Sequence, residues 1–180
     1  MSEVKKTKTS VTFRLDPNNL RILNEEAKKK EISLNTLANQ IVSSYVDWHS
    51  AATQAGFVSL RKQLIKLLLE KYSGSEIMNI AEKVAADTTK DIVLLLRQKY
   101  NIETALNVIE TWIRISNYPY SHIIDETKHT FVIQHDMGAK WSIYLSGLYK
   151  YVFESFQLKK VDFDYTEKSL SFEVDTTPPQ

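Results

Sequence analysis

Hydrophobic and polar residues alternate strictly over residues 10–16, the stretch Ser-Val-Thr-Phe-Arg-Leu-Asp. Side chains of a β-strand point to opposite faces in turn, so this period of two predicts a half-buried strand. The apolar face consists of Val11, Phe13 and Leu15, and the polar face of Ser10, Thr12 and Arg14.

Two amphipathic helices are predicted directly after this strand. Asp16 and Pro17 indicate the start of the first, over about residues 17–30, because Asp caps free N–H groups and Pro is tolerated at the first helical position. Ser33 is the expected cap of the second helix, over about residues 34–49. Apolar residues recur at helical spacing in both helices. Those expected in a dimer core with the apolar strand face are Leu20, Leu23, Leu37, Ile41 and Tyr45.

A single copy of this strand and helix pair lacks what it needs to be stable. The strand has two open edges and no partner within the segment. Two short helices also supply too little core for about 45 residues. Both deficits are removed if two copies pair their strands antiparallel and interlock their helices. The pattern therefore predicts a homodimer.

The string VTFRLDPNNLRILNEEAKKKEISLNTLANQIV resembles the ribbon-helix-helix family of DNA-binding repressors. The resemblance covers about residues 8–48 and rests on the strand, the Asp-Pro cap, the amphipathic helix, the capped turn and the second apolar helix. The turn usually carries a glycine in this family, whereas this chain has Glu31. If that position needs a positive φ, glutamate costs about 1 kcal/mol, and its charge would also repel a nearby phosphate.

The resemblance implies how the segment would contact DNA. The paired strands would enter the major groove, where Ser10, Thr12 and Arg14 would contact base edges. Arg14 suits a bidentate contact to guanine O6 and N7. The start of the second helix would hold a phosphate with its free N–H groups. The expected phosphate contacts are Lys5, Lys6, Lys8, Ser33, Leu34 and Asn35.

The remaining two-thirds of the chain predict a second, α+β domain. Helices are expected over about residues 57–72, 75–86, 88–99 and 102–116, and their caps are Ser75, Asp87 or Thr88, and Asn101. A hairpin at about 120–134, a long helix at 139–156 and a second hairpin at about 160–174 follow.

We therefore expect four regions. Residues 1–50 form the DNA-binding domain, 51–56 a connector, 57–175 an oligomerisation or ligand-sensing domain, and 176–180 a frayed tail. The fold class is α+β, with an N-terminal ribbon-helix-helix dimer module.

The histidines give little indication of chemistry. His129 and His135 share a strand face but stand about 20 Å apart at about 3.3 Å per residue, too far to share a metal. If Asp125 pairs with Lys128, His122 faces Phe131 rather than another histidine. Asp136 is interpreted as the cap of the helix that follows, in preference to a catalytic partner of His135. We expect no catalytic site, no metal and no cofactor, and hence no enzyme.

The helix at 139–156 is unusually aromatic. Its apolar residues at helical spacing are Trp141, Tyr144, Leu145, Leu148, Tyr149, Val152 and Phe156. Such spacing is typical of a core helix. It is also compatible with an aromatic wall for a small apolar or planar ligand, or with a dimer interface.

Charge and composition support a nucleic-acid partner only at the N-terminus. The net charge is +1, but residues 1–50 hold eight Lys and Arg against six Asp and Glu. The chain has no cysteine, which excludes disulfides and thiolate metal sites. No apolar run is long enough to span a membrane and no signal-peptide core is present, so we expect a soluble, cytoplasmic protein.

The sequence predicts a dimeric, sequence-specific DNA-binding transcriptional regulator, of repressor type. Its expected partners are double-stranded DNA, a second copy of itself, and a small-molecule effector or a partner protein at residues 57–175. The alternative is an antitoxin-like interaction protein whose DNA binding is autoregulatory.

Overall fold

The computed structural model describes residues 9–158 and 161–177. The chain divides between Ser43 and Ser44 into two compact units, called here the N-terminal and the C-terminal unit. Residues 44–50, which the sequence analysis assigned to the DNA-binding domain, belong to the C-terminal unit.

The helices at the start of the chain begin where their caps predict. Helix α1 spans Pro17–Lys29, and Asp16 Oδ1 accepts hydrogen bonds from the amides of Asn18 at 2.9 Å and Asn19 at 3.3 Å. Helix α2 spans Leu34–Ser44, so it is shorter than predicted. A π-helical turn, Tyr45–His49, and the short helix α3, Ser50–Ala52, follow it.

The predicted strand at residues 10–16 is absent from the single chain. Residues 9–16 have no regular secondary structure. A strand needs a neighbouring strand to satisfy its N–H and C=O groups, and no described residue of the chain offers one there.

The next helix of the C-terminal unit is α4, Lys62–Leu69, which is half the predicted length. Helices α5, Gly74–Arg97, and α6, Ile102–Ile115, each start with a capping box. Asn101 is the predicted cap of α6, whereas α5 is capped by Ser73 rather than Ser75.

The two helices predicted over residues 75–99 are one continuous helix. Asp87 and Thr88 resemble a cap in sequence, but the Thr88 hydroxyl donates back to the Val84 carbonyl at 2.7 Å. This bond satisfies the hydroxyl inside the helix. The prediction of a break at Asp87 or Thr88 is therefore wrong.

The two predicted hairpins join into one antiparallel sheet in the order β1-β2-β4-β3. Its strands are β1 Tyr120–Asp125, β2 Lys128–Gln134, β3 Phe163–Tyr165 and β4 Ser169–Asp175. Asp125 pairs with Lys128, the register considered in the sequence analysis, and β2 pairs with β4 between the hairpins. The structure thus confirms a mixed α+β fold.

Helix α7, Ala139–Ser155, packs against both α5 and the sheet. Phe131, Leu145 and Leu170 are fully buried in the resulting core. A Cβ atom added at Gly147 of α7 would lie 2.8 Å from the Ala81 Cβ of α5, so the two helices touch closely there. The core interpretation of α7 is confirmed.

The cap of α7 is Gly138, which offers no side chain, so the prediction that Asp136 caps this helix is wrong. Thr176 and Thr177, in the predicted frayed tail, hydrogen-bond to Thr127 and Asp175.

Among the described residues, every helix is too short or too polar to cross a membrane.

Candidate functional site

The segment before α1 exposes both of its faces. Ser10, Thr12 and Arg14, the predicted base contacts, are solvent-exposed. The apolar residues between them are also exposed, with fractions of 69% for Val11, 70% for Phe13 and 48% for Leu15. Large apolar side chains that lie uncovered in an alternating row make this segment a candidate interaction surface.

The helices of the N-terminal unit also leave apolar surface open. Among residues 9–43, only Ala27 and Leu37 are buried. Of the other predicted dimer-core residues, Leu23 is half-buried, and Leu20, Ile41 and Tyr45 are exposed. Two buried side chains are too few to stabilise two helices in water.

The turn between α1 and α2 has the geometry that favours glycine. Glu31 has a φ of 54°. The Glu31 amide donates to the Lys28 carbonyl at 3.1 Å, and the Ile32 amide donates to the Ala27 carbonyl at 3.0 Å. These two bonds define a Schellman motif, whose residue after the C-cap is left-handed and usually Gly. The positive φ at which glutamate is costly is therefore present, and Glu31 is a strained residue.

The start of α2 offers unpaired amide donors. The Ser33 hydroxyl accepts from the Thr36 amide at 3.0 Å, so Ser33 acts as the predicted cap. The amides of Leu34 and Asn35 donate to no described residue. The first turn of α2 carries no acidic residue. An anion could therefore approach these two donors.

Arg14 was predicted to contact a DNA base. Its guanidinium group forms no ion pair with any described residue. Arg21 instead binds Glu25 at 2.7 Å and Asn18 at 2.9 Å within α1. Lys5, Lys6 and Lys8 lie outside the described residues.

A pair of histidines lies on the sheet at β1 and β2. His122 stacks on Phe131, its predicted cross-strand partner, with ring centroids 3.9 Å apart. Its Nε2 atom also lies 2.9 Å from His129 Nδ1, so the prediction that it would not meet another histidine is wrong. Glu110 Oε2 lies 3.2 Å from His122 Nδ1. Burial, and then the neighbouring His122, lower the pKa of His129.

His135 belongs to a buried hydrogen-bond chain and does not bond to Asp136. Its Nδ1 atom accepts from the Met137 amide at 3.3 Å, so its Nε2–H donates to the Ser142 hydroxyl at 2.9 Å. Ser142 in turn donates to the Thr166 carbonyl at 2.7 Å. Burial lowers the pKa of His135. Asp136 pairs with Lys62 at 2.7 Å. Within the described residues, no group of three His, Asp or Glu could hold a metal ion.

A cavity of about 380 Å³ opens between α5, α6 and α7 of the C-terminal unit. We call it the aromatic cavity. Its aromatic lining comprises Trp48, Phe57, Trp112, Trp141, Tyr144 and Tyr149. Trp141, Tyr144 and Tyr149 lie on α7 and belong to the aromatic residues noted in its sequence. The other three come from distant segments that only the fold brings together.

Two polar atoms of these lining residues are buried without a hydrogen bond to any described residue, Trp141 Nε1 and Tyr149 OH. Burial raises the pKa of Tyr118 to about 12, an effect that the Trp141 side chain partly opposes. Burial also raises the pKa of Tyr149, which is 5% exposed.

Comparison of the chain with protein-family models, curated proteins and solved structures finds no match.

Proposed function

We propose that two copies of the N-terminal unit pair through residues 10–15 into a ribbon-helix-helix module, and that the protein is a DNA-binding transcriptional regulator. The observation that carries the proposal is the alternating segment before α1. Its apolar and polar faces are both exposed in one chain. Antiparallel pairing with a second copy would satisfy the backbone of the two strands, and the helices of both copies would cover Val11, Phe13 and Leu15 and leave the polar face free for DNA.

Burial of the exposed apolar side chains would contribute a free energy comparable with the cost of forming a dimer. Burying the exposed part of a Val, Leu or Phe contributes about 1–2 kcal/mol, since full burial contributes about 1.5–3 kcal/mol. Three such residues in each of two chains contribute roughly 6–12 kcal/mol. Association itself costs about 4–15 kcal/mol. The strand face alone would give a marginal dimer, and the exposed Leu20, Ile41 and Val42 supply further apolar contact.

The polar face matches the major groove in size and chemistry. Two paired strands lie about 4.8 Å apart and fit a groove about 12 Å wide. Ser10 and Arg14 would be about 13 Å apart in an extended strand, which is about four base-pair steps. Arg14 can read guanine with two hydrogen bonds, while Thr12 can contact a thymine methyl group.

The α2 N-terminus supplies a second contact to the same DNA. The free amides of Leu34 and Asn35 and the positive end of the helix dipole would bind a backbone phosphate. This contact fixes the position of the ribbon but carries no sequence information. Glu31, two residues before the Ser33 cap, opposes the contact with its charge.

The folded C-terminal unit supports a regulator over the antitoxin-like alternative. The partner-binding segment of an antitoxin is expected to be short and disordered when free. Here residues 44–177 carry a sheet, packed helices and a core.

The test of base reading compares Arg14→Ala with Arg21→Ala in the full chain. Both variants remove one exposed arginine, but Arg21 is already paired with Glu25. We expect Arg14→Ala to lose about 1–3 kcal/mol of discrimination between the preferred DNA site and a scrambled one, while Arg21→Ala keeps it. An equal loss on both DNAs in the Arg14 variant would contradict base reading.

The dimer is tested by Phe13→Asp in analytical ultracentrifugation. Phe13 is 70% exposed in the single chain and lies outside the C-terminal unit, so that unit should stay folded while the variant sediments as a smaller species than the wild type. Ile123→Asp, which changes a 60% exposed residue of β1, is the matched control and should not alter the N-terminal pairing. Unchanged sedimentation of the Phe13 variant would refute pairing through residues 10–15.

A further inference from the structure

The aromatic cavity has a shape and chemistry that DNA binding does not use. We propose that it binds a small, neutral, planar molecule of two or three fused aromatic rings with one hydrogen-bonding group. This proposal concerns the C-terminal unit and does not depend on the function proposed for the N-terminal unit.

The volume of the cavity sets the size of the ligand. The cavity measures about 380 Å³. An apolar cavity of about 150 Å³ holds one benzene ring. Two or three fused rings therefore match the space, whereas a single ring would leave much of the wall without contact.

The walls favour a flat ligand. Trp141 stacks with Tyr144 at a centroid distance of 5.1 Å, and Trp112 lies 6.4 Å from Trp141. Aromatic rings attract one another at centroid distances of about 4.5–7 Å in offset or edge arrangements. A planar ring system can extend these contacts, while a bulky aliphatic ligand cannot.

The lining residues also determine that the ligand is neutral. The part of the chain that the structure describes places no charged side chain in the cavity wall. Burial raises the pKa of Tyr144, which shows that the wall disfavours charge. An ionised ligand would lose its hydration without gaining a partner, and such transfer is strongly unfavourable.

The Tyr149 hydroxyl is the natural partner for the hydrogen-bonding group. It belongs to a lining residue, is buried, and forms no hydrogen bond with any described residue. Buried polar groups are almost always paired with protein or water, so an unpaired one requires an explanation. This oxygen has almost no surface open to the cavity, so a ligand hydroxyl would satisfy it after the surrounding side chains move to admit the group.

Access to the cavity is possible from one end. Gly56 and Val84 of the lining are exposed, and Thr89 is half-buried, whereas Val93 and Ala105 are 1% exposed. The exposed residues mark the mouth and the buried ones the floor. A ligand can therefore enter without unfolding of the unit.

The test is calorimetric titration of the full chain with naphthalene, 2-naphthol and 2-naphthoate, combined with tryptophan emission. The chain has three tryptophans, Trp48, Trp112 and Trp141, and all of them line the cavity. We expect one saturable site for naphthalene and 2-naphthol that changes the tryptophan emission. Binding of the 2-naphthoate anion should be at least about tenfold weaker, because no lining cation offsets its desolvation.

Two variants locate the site. Ala105→Leu fills the floor and should weaken 2-naphthol binding about tenfold or more, whereas Ala86→Leu changes an exposed alanine of α5 that is not in the lining and should leave binding intact. Thr89→Phe at the mouth decides the outcome if Ala105→Leu fails to fold, as judged by circular dichroism. Either folded variant should block the site.

The Tyr149→Phe variant tests the hydrogen bond. It should weaken 2-naphthol binding about three- to tenfold and leave naphthalene binding unchanged. The proposal is overturned by the absence of saturable binding of both neutral probes, by binding that neither lining variant alters, or by 2-naphthoate binding more tightly than naphthalene. An equal effect of Tyr149→Phe on both neutral probes would overturn the assigned hydrogen bond.

Discussion

Replacing Glu31 with glycine should stabilise the N-terminal unit. Glu31 occupies the left-handed position of a Schellman motif, with a φ of 54°. A left-handed conformation costs a residue with a side chain about 1–2 kcal/mol, while glycine loses about 0.5–1 kcal/mol more backbone entropy on folding. The midpoints of these two ranges give a net gain of about 0.75 kcal/mol per chain for Glu31→Gly.

Two spectroscopic signals can separate this effect from the rest of the protein. The three tryptophans all follow Ser44, so their fluorescence reports the C-terminal unit, whereas far-ultraviolet circular dichroism reports helices of both units. Glu31→Gly should raise the midpoint temperature of the unfolding transition that only circular dichroism detects by roughly 2–8 °C. The tryptophan transition should stay unchanged.

The matched control is Gln98→Gly. Gln98 ends α5 with a φ of 57°, so the same strain is released in the other unit, and the tryptophan transition should rise instead. Glu31→Gln removes the charge but keeps the backbone strain, so it should leave the N-terminal transition unchanged while raising DNA affinity. A Glu31→Gly variant with an unchanged or lower midpoint would refute the strain argument.

Two further predictions concern the C-terminal unit. Burial lowers the pKa of His135, so the unfolded chain binds a proton there more readily, and stability should fall by up to about 1.4 kcal/mol per pH unit as the pH drops below about 6.5. Urea unfolding of the wild type and two variants between pH 8 and pH 5 checks this. The free energy of unfolding should depend less on pH in His135→Gln than in the wild type, whereas in His49→Gln, which changes an exposed histidine, the dependence should be unchanged. The same pH dependence in all three proteins would contradict the prediction. Gly147→Ala should lower the midpoint of thermal unfolding, because overpacking costs about 1–3 kcal/mol and the gain in helix propensity is about 1 kcal/mol. Adding Ala81→Gly to this variant should restore part of the lost midpoint temperature. A midpoint in Gly147→Ala above that of the wild type would show that the two helices are not closely packed.

Local sequence rules located those elements whose structure depends on adjacent residues. Asp16, Ser33 and Asn101 cap the predicted helices because their side chains bond to amides two or three residues away. The Asp125–Lys128 register follows from a tight turn between two alternating strands.

Errors arose where a local pattern has two outcomes. Thr88 resembles a cap, but in the middle of α5 its hydroxyl bonds to the preceding turn instead. Asp136 likewise resembles a cap but pairs with Lys62, a residue 74 positions away. Sequence spacing does not show which partner a polar side chain chooses.

The two candidate sites were predictable to different extents. The alternation from Ser10 to Leu15 shows in sequence which residues are apolar, but residues 9–16 form no strand in the single chain, and the proposed strand depends on a second copy. The aromatic cavity brings together Trp48, Trp112 and Trp141, which are separated by dozens of residues. The spacing along α7 is compatible in sequence with one aromatic wall, but only the packing of distant segments closes the cavity.

The most direct test of DNA binding is selection of bound sequences from random double-stranded DNA by the full-length protein. The proposed function predicts enrichment of a short motif repeated as a palindrome or in tandem, because a symmetric dimer reads two half-sites. Affinity for that motif should fall steeply with salt, with a log–log slope of about 0.9 per phosphate neutralised. No enrichment over the starting pool would contradict the central claim.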